Sequence, residues 1–235
     1  MQSAFEGYDG DWFSFEGIDT SNVTNMNKMM SNFWRYNRGN TGNGSMDLSP
    51  MNTKNVTDMC EMFAYSGYWL QQIILGGKFT TENVRNFQGM FRYSYVPYPL
   101  NIDTHNGTDF SCMLYSIKEF SPIVDISALS FENATNVSQI LTYETRNTLI
   151  GDHTLEEVES GNCVLFRGLQ VSIDIHWCLL DYRNMLACAK GVADLTGKTD
   201  ATITLNNAQF NSFTEEQKYA IQSELSQKNW TLALV

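Results

Sequence analysis

Polar and apolar positions along this chain follow a repeating order. An eleven-position pattern, Thr-x-Asn-Val-Thr-(Asn/Asp)-(Met/Phe)-x-x-Met-(Phe/Leu), occurs five times, at 20–30, 53–63, 81–91, 104–114 and 131–141. The last copy has Phe131 in place of Thr. Apolar residues stand at positions 4, 7, 10 and 11, as in Val56, Met59, Met62 and Phe63. That spacing predicts one face of a two-turn helix, with the leading Thr as its N-cap. The Asn at position 3 is present in every copy as Asn22, Asn55, Asn83, Asn106 and Asn133, in steps of 33, 28, 23 and 27 residues. Asn is a mediocre helix former, so its recurrence needs another cause. The expected one is a ladder of side-chain hydrogen bonds to the backbone of the neighbouring repeat.

Units of this length are too small to bury an apolar face alone and gain a core by stacking. A short β-like run precedes each predicted helix, at 12–15, 45–48, 72–75, 98–102 and 123–126. One strand and one helix per unit predict an α/β solenoid with short parallel strands on one side, short helices on the other and right-handed connections. The longest early insertion, 35–45, is rich in Gly and Asn. After Leu141 the pattern lapses, and the acidic run from Thr154 reads as a capped helical turn. Strand-like runs at 171–175, 202–205 and 230–234 alternate with helical runs at 178–189 and 215–228. Thr214 and Gln217 form a capping box, and Asn229 suits the left-handed end of the last helix. The resulting division is a lead-in at 1–14, five repeats at 15–146, degenerate repeats with an insertion at 147–190, and a capping unit at 191–235.

Composition narrows the function. The formal net charge is −11, from 15 Lys and Arg against 26 Asp and Glu, with no basic cluster. Such a surface repels phosphate backbones, which argues against nucleic-acid binding. No run of 18 apolar residues is present, so no membrane insertion is expected. The first residues lack the basic and apolar regions of an export signal. The five Cys, at 60, 112, 163, 178 and 188, show no CxxC spacing and read as reduced, half-buried thiols. The three His stand far apart, at 105, 153 and 176, without metal-ligand spacing. Nucleophile-elbow and phosphate-loop motifs are absent as well. No catalytic residue, cofactor or metal is expected. Seven Asn-x-Ser/Thr triplets occur, and four of them contain the repeat Asn, so they reflect the repeat and not glycosylation.

Aromatic residues follow the early repeats: Trp34 and Tyr36, then Tyr65, Tyr68 and Trp69, then Tyr93 and Tyr95. If the units stack, these side chains form a stripe along one edge. Tyr and Trp combine a large apolar face with a polar tip, the chemistry of protein interfaces and sugar platforms. The alternative is that they cover the ends of the repeats and pack between turns.

The phrases from Phe15 to Met26 and from Met51 to Phe63 resemble the BspA-like leucine-rich-repeat family, whose units carry a Thr-Ser-x-Val-Thr-x-Met-x-x-Met-Phe phrase. The resemblance covers about residues 13–141. It implies a leucine-rich-repeat-like fold and a binding or structural role without a catalytic motif. The segments 193–199, 213–221 and 228–232 resemble the closing unit of such proteins from gut bacteria and their phages. On that resemblance the chain is expected to be a bacteriophage virion component, of fibre, tail or capsid type. The alternative is a bacterial cell-surface adhesin. Its expected partners are other virion or surface proteins, with a glycan or host receptor as a further class. Gly107 and Ala134 replace the usual Val and are expected to loosen packing. The Trp12-Phe-Ser-Phe start suggests an edge covered by another chain or by a missing coil, and an assembled state is expected.

Overall fold

The computed structural model describes residues 1–8, 14–33, 44–66, 70–98, 100–117, 124–141 and 149–235. It is a mixed α/β structure with short parallel strands and short helices. The named elements are β1 (Gly44–Asp47), β2 (Leu70–Ile74), α1 (Leu155–Glu159), β3 (Ile173–Asp174), α2 (Tyr182–Gly191), β4 (Ala201–Leu205), α3 (Asn207–Asn211), α4 (Glu215–Gln227) and β5 (Trp230–Leu234).

Within the repeats the expected helices do not form. Position 9 is left-handed in all five copies, at Lys28, Glu61, Gly89, Cys112 and Gln139, with φ between 50° and 59°. Position 13 is left-handed too, at Asn32, Tyr65, Tyr93 and Ser116. A right-handed helix cannot run through such residues. The segment is instead a series of i→i+3 turns: Met62 N–H donates to Met59 O at 3.1 Å and Ala64 N–H to Glu61 O at 3.1 Å. The alternate N–H groups reach the next copy, from Met59 to Asn86 O (3.0 Å), Glu61 to Gln88 O (2.7 Å), Phe63 to Met90 O (3.0 Å) and Tyr65 to Arg92 O (2.7 Å). Side chains at positions 7, 10 and 11 still turn inward, which imitates helical spacing in the sequence.

Each polar position of the pattern has its own bond. The Thr at position 1 is not an N-cap. It is buried and clips the following copy: Thr53 Oγ1 donates to Thr80 O at 2.6 Å and accepts from Thr80 N–H at 2.7 Å. The position 3 amides donate to the preceding copy, from Asn55 to Ser21 O (2.7 Å), Asn83 to Lys54 O (2.7 Å), Asn106 to Glu82 O (2.8 Å) and Asn133 to His105 O (2.7 Å). At position 6, Oδ1 accepts the N–H two residues on, as from Cys60 to Asp58 and from Ser111 to Asp109, both at 2.9 Å. Only Asn or Asp closes that turn so tightly. Position 6 residues also pair in parallel from copy to copy, in the order Asn25, Asp58, Asn86, Asp109, Asn136.

The core runs through the repeats into the C-terminal part without a break. Phe110 stacks on Phe87 with ring centroids 5.2 Å apart, and Phe131 follows at 4.8 Å and Phe166 at 5.4 Å. Gly107 does not loosen this column. A Cβ there would lie 2.2 Å from Phe110 Cζ, so the ring fills the space Val uses elsewhere. Residues 1–8, expected as a lead-in, bond in register with copy one. Ser3, Phe5 and Gly7 N–H donate to Asn27, Met29 and Ser31 O at 2.8–2.9 Å. They act as positions 9, 11 and 13 of a further half-copy, and Met1-x-x-Ala4-Phe5 echoes Met-x-x-Met-Phe.

Of the expected early strands, those at 45–48 and 72–75 correspond to the parallel pair β1 and β2. No strand forms at 98–102 among the described residues, and at 123–126 the described part makes a single antiparallel bridge, Asp125 to Ile150. Residues 12 and 13 and most of the 35–45 insertion lie outside the described residues. The C-terminal part is a parallel sheet in the order β3-β4-β5, with α2 against α4. Capping boxes start α1 at Thr154 and α4 at Thr214. Lys228 closes the end of α2, donating to Ala189 O at 2.9 Å and Lys190 O at 2.6 Å. Burial pulls its ammonium below the usual lysine range, and Glu224 partly offsets this. Gly191 permits close approach, because a Cβ would lie 1.7 Å from Leu165 O.

Candidate interaction surface

Stacked repeats bring three tyrosines side by side. Tyr65 and Tyr93 occupy position 13 of adjacent copies, and their left-handed backbones turn both side chains the same way. Their ring centroids are 5.3 Å apart at 19°. Tyr115 from the fourth copy continues the row, 5.4 Å from Tyr93 at 58°. The backbone pins this arrangement, with Tyr93 N–H donating to Tyr115 O at 2.9 Å.

Arg92 lies over the row. Its Cζ is 4.7 Å from the Tyr115 ring, 5.6 Å from Tyr93 and 5.7 Å from Tyr65. A guanidinium above an aromatic face is attracted by the ring quadrupole. Arg92 Nε is buried without a hydrogen-bond partner, so the ring faces hold it in place. The Tyr115 phenol is raised above its usual range by the neighbouring Tyr93 phenol and by burial. All three tyrosines are half-buried, leaving a part-exposed, rigid strip of aromatic and cationic chemistry.

Of the aromatic residues expected to form a stripe, Tyr65 and Tyr93 are brought together. Tyr95 packs against the core, and burial raises its phenol. Trp34, Tyr36, Tyr68 and Trp69 lie outside the described residues. Sequence reasoning missed Arg92, whose charge gave no hint of its partners. Tyr115 stands one position from Tyr93 in the repeat phase, and stacking of the copies brings it into the row.

The recurring asparagines form a different surface. Asn55, Thr57, Asn83, Arg85 and Asn106 line a shallow polar depression where the side-chain rungs end. Each Asn from copy two to copy five is committed to a carbonyl, so these residues hold the repeats in register. Asn22 is exposed.

The histidines pair with carboxylates. His105 Nδ1 is 2.6 Å from Asp103, and His153 lies between Asp125 (3.5 Å) and Glu157 (3.3 Å). Among the described residues no group of three or more His, Cys, Asp or Glu is arranged to hold a metal ion. Burial pushes the Cys60 and Cys163 thiols up to about 11, and Cys188 higher still. No helix among the described residues is long and apolar enough to cross a membrane.

No curated protein and no solved structure matches this chain. A family model does, over residues 1–96 and again over 36–153. These overlapping stretches take in the half-copy at the start, all five repeats and the tyrosine row. The chain belongs to the family described as Mycoplasma protein of unknown function, DUF285.

Proposed function

We propose that this chain is a non-enzymatic structural and binding protein, a right-handed leucine-rich-repeat-like solenoid of the BspA-like kind that acts through protein contacts. The observation that carries the reading is the Tyr65, Tyr93, Tyr115 and Arg92 strip. Tyr and Arg are enriched among the residues that carry most of the binding energy at protein interfaces. On a chain of net charge −11, a strip carrying Arg92 favours a partner that presents carboxylates, on a protein or an acidic glycan.

The expected setting is a phage particle, where the chain joins other virion proteins within an assembly. The resemblance of its closing unit to phage versions supports this. Quantitative mass spectrometry of purified particles and of host membranes tests it. Stoichiometric amounts in particles are the expected result, and absence from them overturns the virion setting. The second reading is a bacterial surface adhesin for a host protein or glycan. The BspA-like resemblance of the repeats supports it, and enrichment in the membrane fraction is its signature.

A further inference from the structure

The bonds between copies stop partway through the fifth. In copies one to four, the position 7 N–H donates to the position 6 carbonyl of the next copy, as from Phe110 to Asn136 O at 2.8 Å. The position 9 N–H likewise donates to the position 8 carbonyl, as from Cys112 to Ser138 O at 3.0 Å. The equivalent groups of copy five, Val137 N–H and Gln139 N–H, have no hydrogen bond among the described residues. Position 5 behaves alike: Thr135 N–H donates to Thr108 O at 2.9 Å, yet Thr135 O accepts nothing among the described residues.

The cause is a change of course in the chain. The first half of copy five still pairs with the C-terminal part, through Phe131 N–H to Arg167 O at 2.8 Å. Gln170 Nε2 donates to Glu132 O at 3.1 Å, so a Gln supplies the rung an Asn supplies earlier. Beyond Gln170 the backbone turns away. β3 pairs with β4, with Ile175 N–H donating to Thr204 O at 3.0 Å. A cleft remains, with Thr135–Gln139 on one wall and Val171–Asp174, Thr202 and Thr204 on the other. The open backbone edge of copy five lines this cleft. The lining mixes hydroxyl and amide side chains with Val137, Val171 and Ile173, and Asp174 is its one charged residue among those described.

We propose that this cleft is a docking slot for one repeat-like segment of a partner protein, held in the backbone conformation that positions 5–8 take in the copies. The slot continues the interface already built between copies. Four times in this chain the same donors and acceptor are met by an N–H at position 5 and carbonyls at positions 6 and 8 of the following copy. A segment in the same backbone conformation offers that set at the right spacing, and its backbone bonds provide affinity. This inference does not depend on the tyrosine strip.

The probe is a fluorescent synthetic peptide with the sequence of copy two, residues 53–65, added to the full chain and followed by anisotropy and by amide NMR. The expected result is saturable binding, with shifts concentrated at Thr135–Gln139 and Ser172–Asp174. Methylating the peptide's position 5 nitrogen should weaken binding at least tenfold. Failure to bind at millimolar peptide overturns the proposal. So does equal binding of a scrambled peptide, or shifts centred on Tyr65, Tyr93 and Tyr115. If the same amides shift with protein concentration alone, the occupant is a second copy, and the partner assignment falls.

Discussion

The side-chain amide of Asn83 donates to the backbone carbonyl of Lys54 at 2.7 Å, across 29 residues of sequence. The same bond joins every successive pair of copies, so one residue type sets the register of the array. Asn suits the role because its amide donates while its short side chain keeps adjacent backbones close. Asn83→Ala should lower stability by about 1 kcal/mol, the usual net worth of one such bond. Asn83→Asp should cost more, because it turns a carboxylate toward the Lys54 carbonyl. Urea midpoints at pH 7 check both, and an Ala variant as stable as the parent would remove the ladder from the account.

Position 6 pairs Asn25, Asp58, Asn86, Asp109 and Asn136 in sequence, so no two carboxylates are neighbours. Asn25 Nδ2 donates to Asp58 at 3.0 Å and Asn136 Nδ2 to Asp109 at 3.1 Å. Asn86→Asp keeps the local turn but places three carboxylates in a row. Like charges directly opposite in paired strands are unfavourable by roughly 0.2–1 kcal/mol each. The variant should be less stable than the parent at pH 7. The deficit should shrink on acidification below about pH 4, where carboxylates take up protons. Parallel urea titrations at the two pH values measure it.

The amino-acid pattern revealed the repeats, their length and the asparagine ladder, because these depend on residue identity at fixed spacing. It misdirected the local backbone. Val56, Met59, Met62 and Phe63 satisfy helical periodicity, yet Glu61 between them is left-handed. Periodicity records which side chains turn inward, and successive turns can share that record with a helix. The C-terminal helices were legible because α4 carries its own signals, with Thr214 and Gln217 at one end and Asn229 at the other. Arg92 was not legible, since its three ring partners come from three copies and meet only in the folded chain.

Gly89 separates the two descriptions of position 9. In a helix, Gly89→Ala stabilises by about 1 kcal/mol. Here Gly89 has φ +59°, and an added Cβ would lie 3.0 Å from Glu61 Cγ. The substitution should therefore destabilise by about 1 kcal/mol through left-handed strain. The sign of the change in thermal midpoint decides the matter.

The thiols give a test that needs no substitution. Cys60, Cys163, Cys178 and Cys188 are buried, and burial raises the Cys60, Cys163 and Cys188 thiols above the usual cysteine range. Thiolate is the reactive form, so these groups should be inert in the folded chain. At pH 8, a thiol-reactive dye should label the native protein slowly, at Cys112 first. All five cysteines should react once guanidinium unfolds it. Fast native labelling of Cys188 would contradict its place in the core.

Asp181 supplies the acid-sensitive link. It caps α2, its Oδ1 accepting from Asn184 N–H at 2.9 Å and from Asn184 Nδ2 at 2.8 Å. Burial alone would raise its pKa, but those two bonds and Arg183 hold it below the usual aspartate value. A carboxyl depressed in the folded state stabilises above its unfolded pKa of about 3.9, and that stabilisation fades as pH falls through the folded value. Asn184 Oδ1 also accepts from Leu149 N–H at 2.9 Å, so losing Asp181 loosens a contact 35 residues away from Asn184 in sequence. Asp181→Ala should cost about 1–2 kcal/mol at pH 7, as expected for an N-cap. Between pH 5 and pH 2 the parent should lose this advantage and the two urea midpoints should converge. A gap that stays constant over that range would mean that the Asp181 charge contributes nothing and its bonds act as a neutral cap.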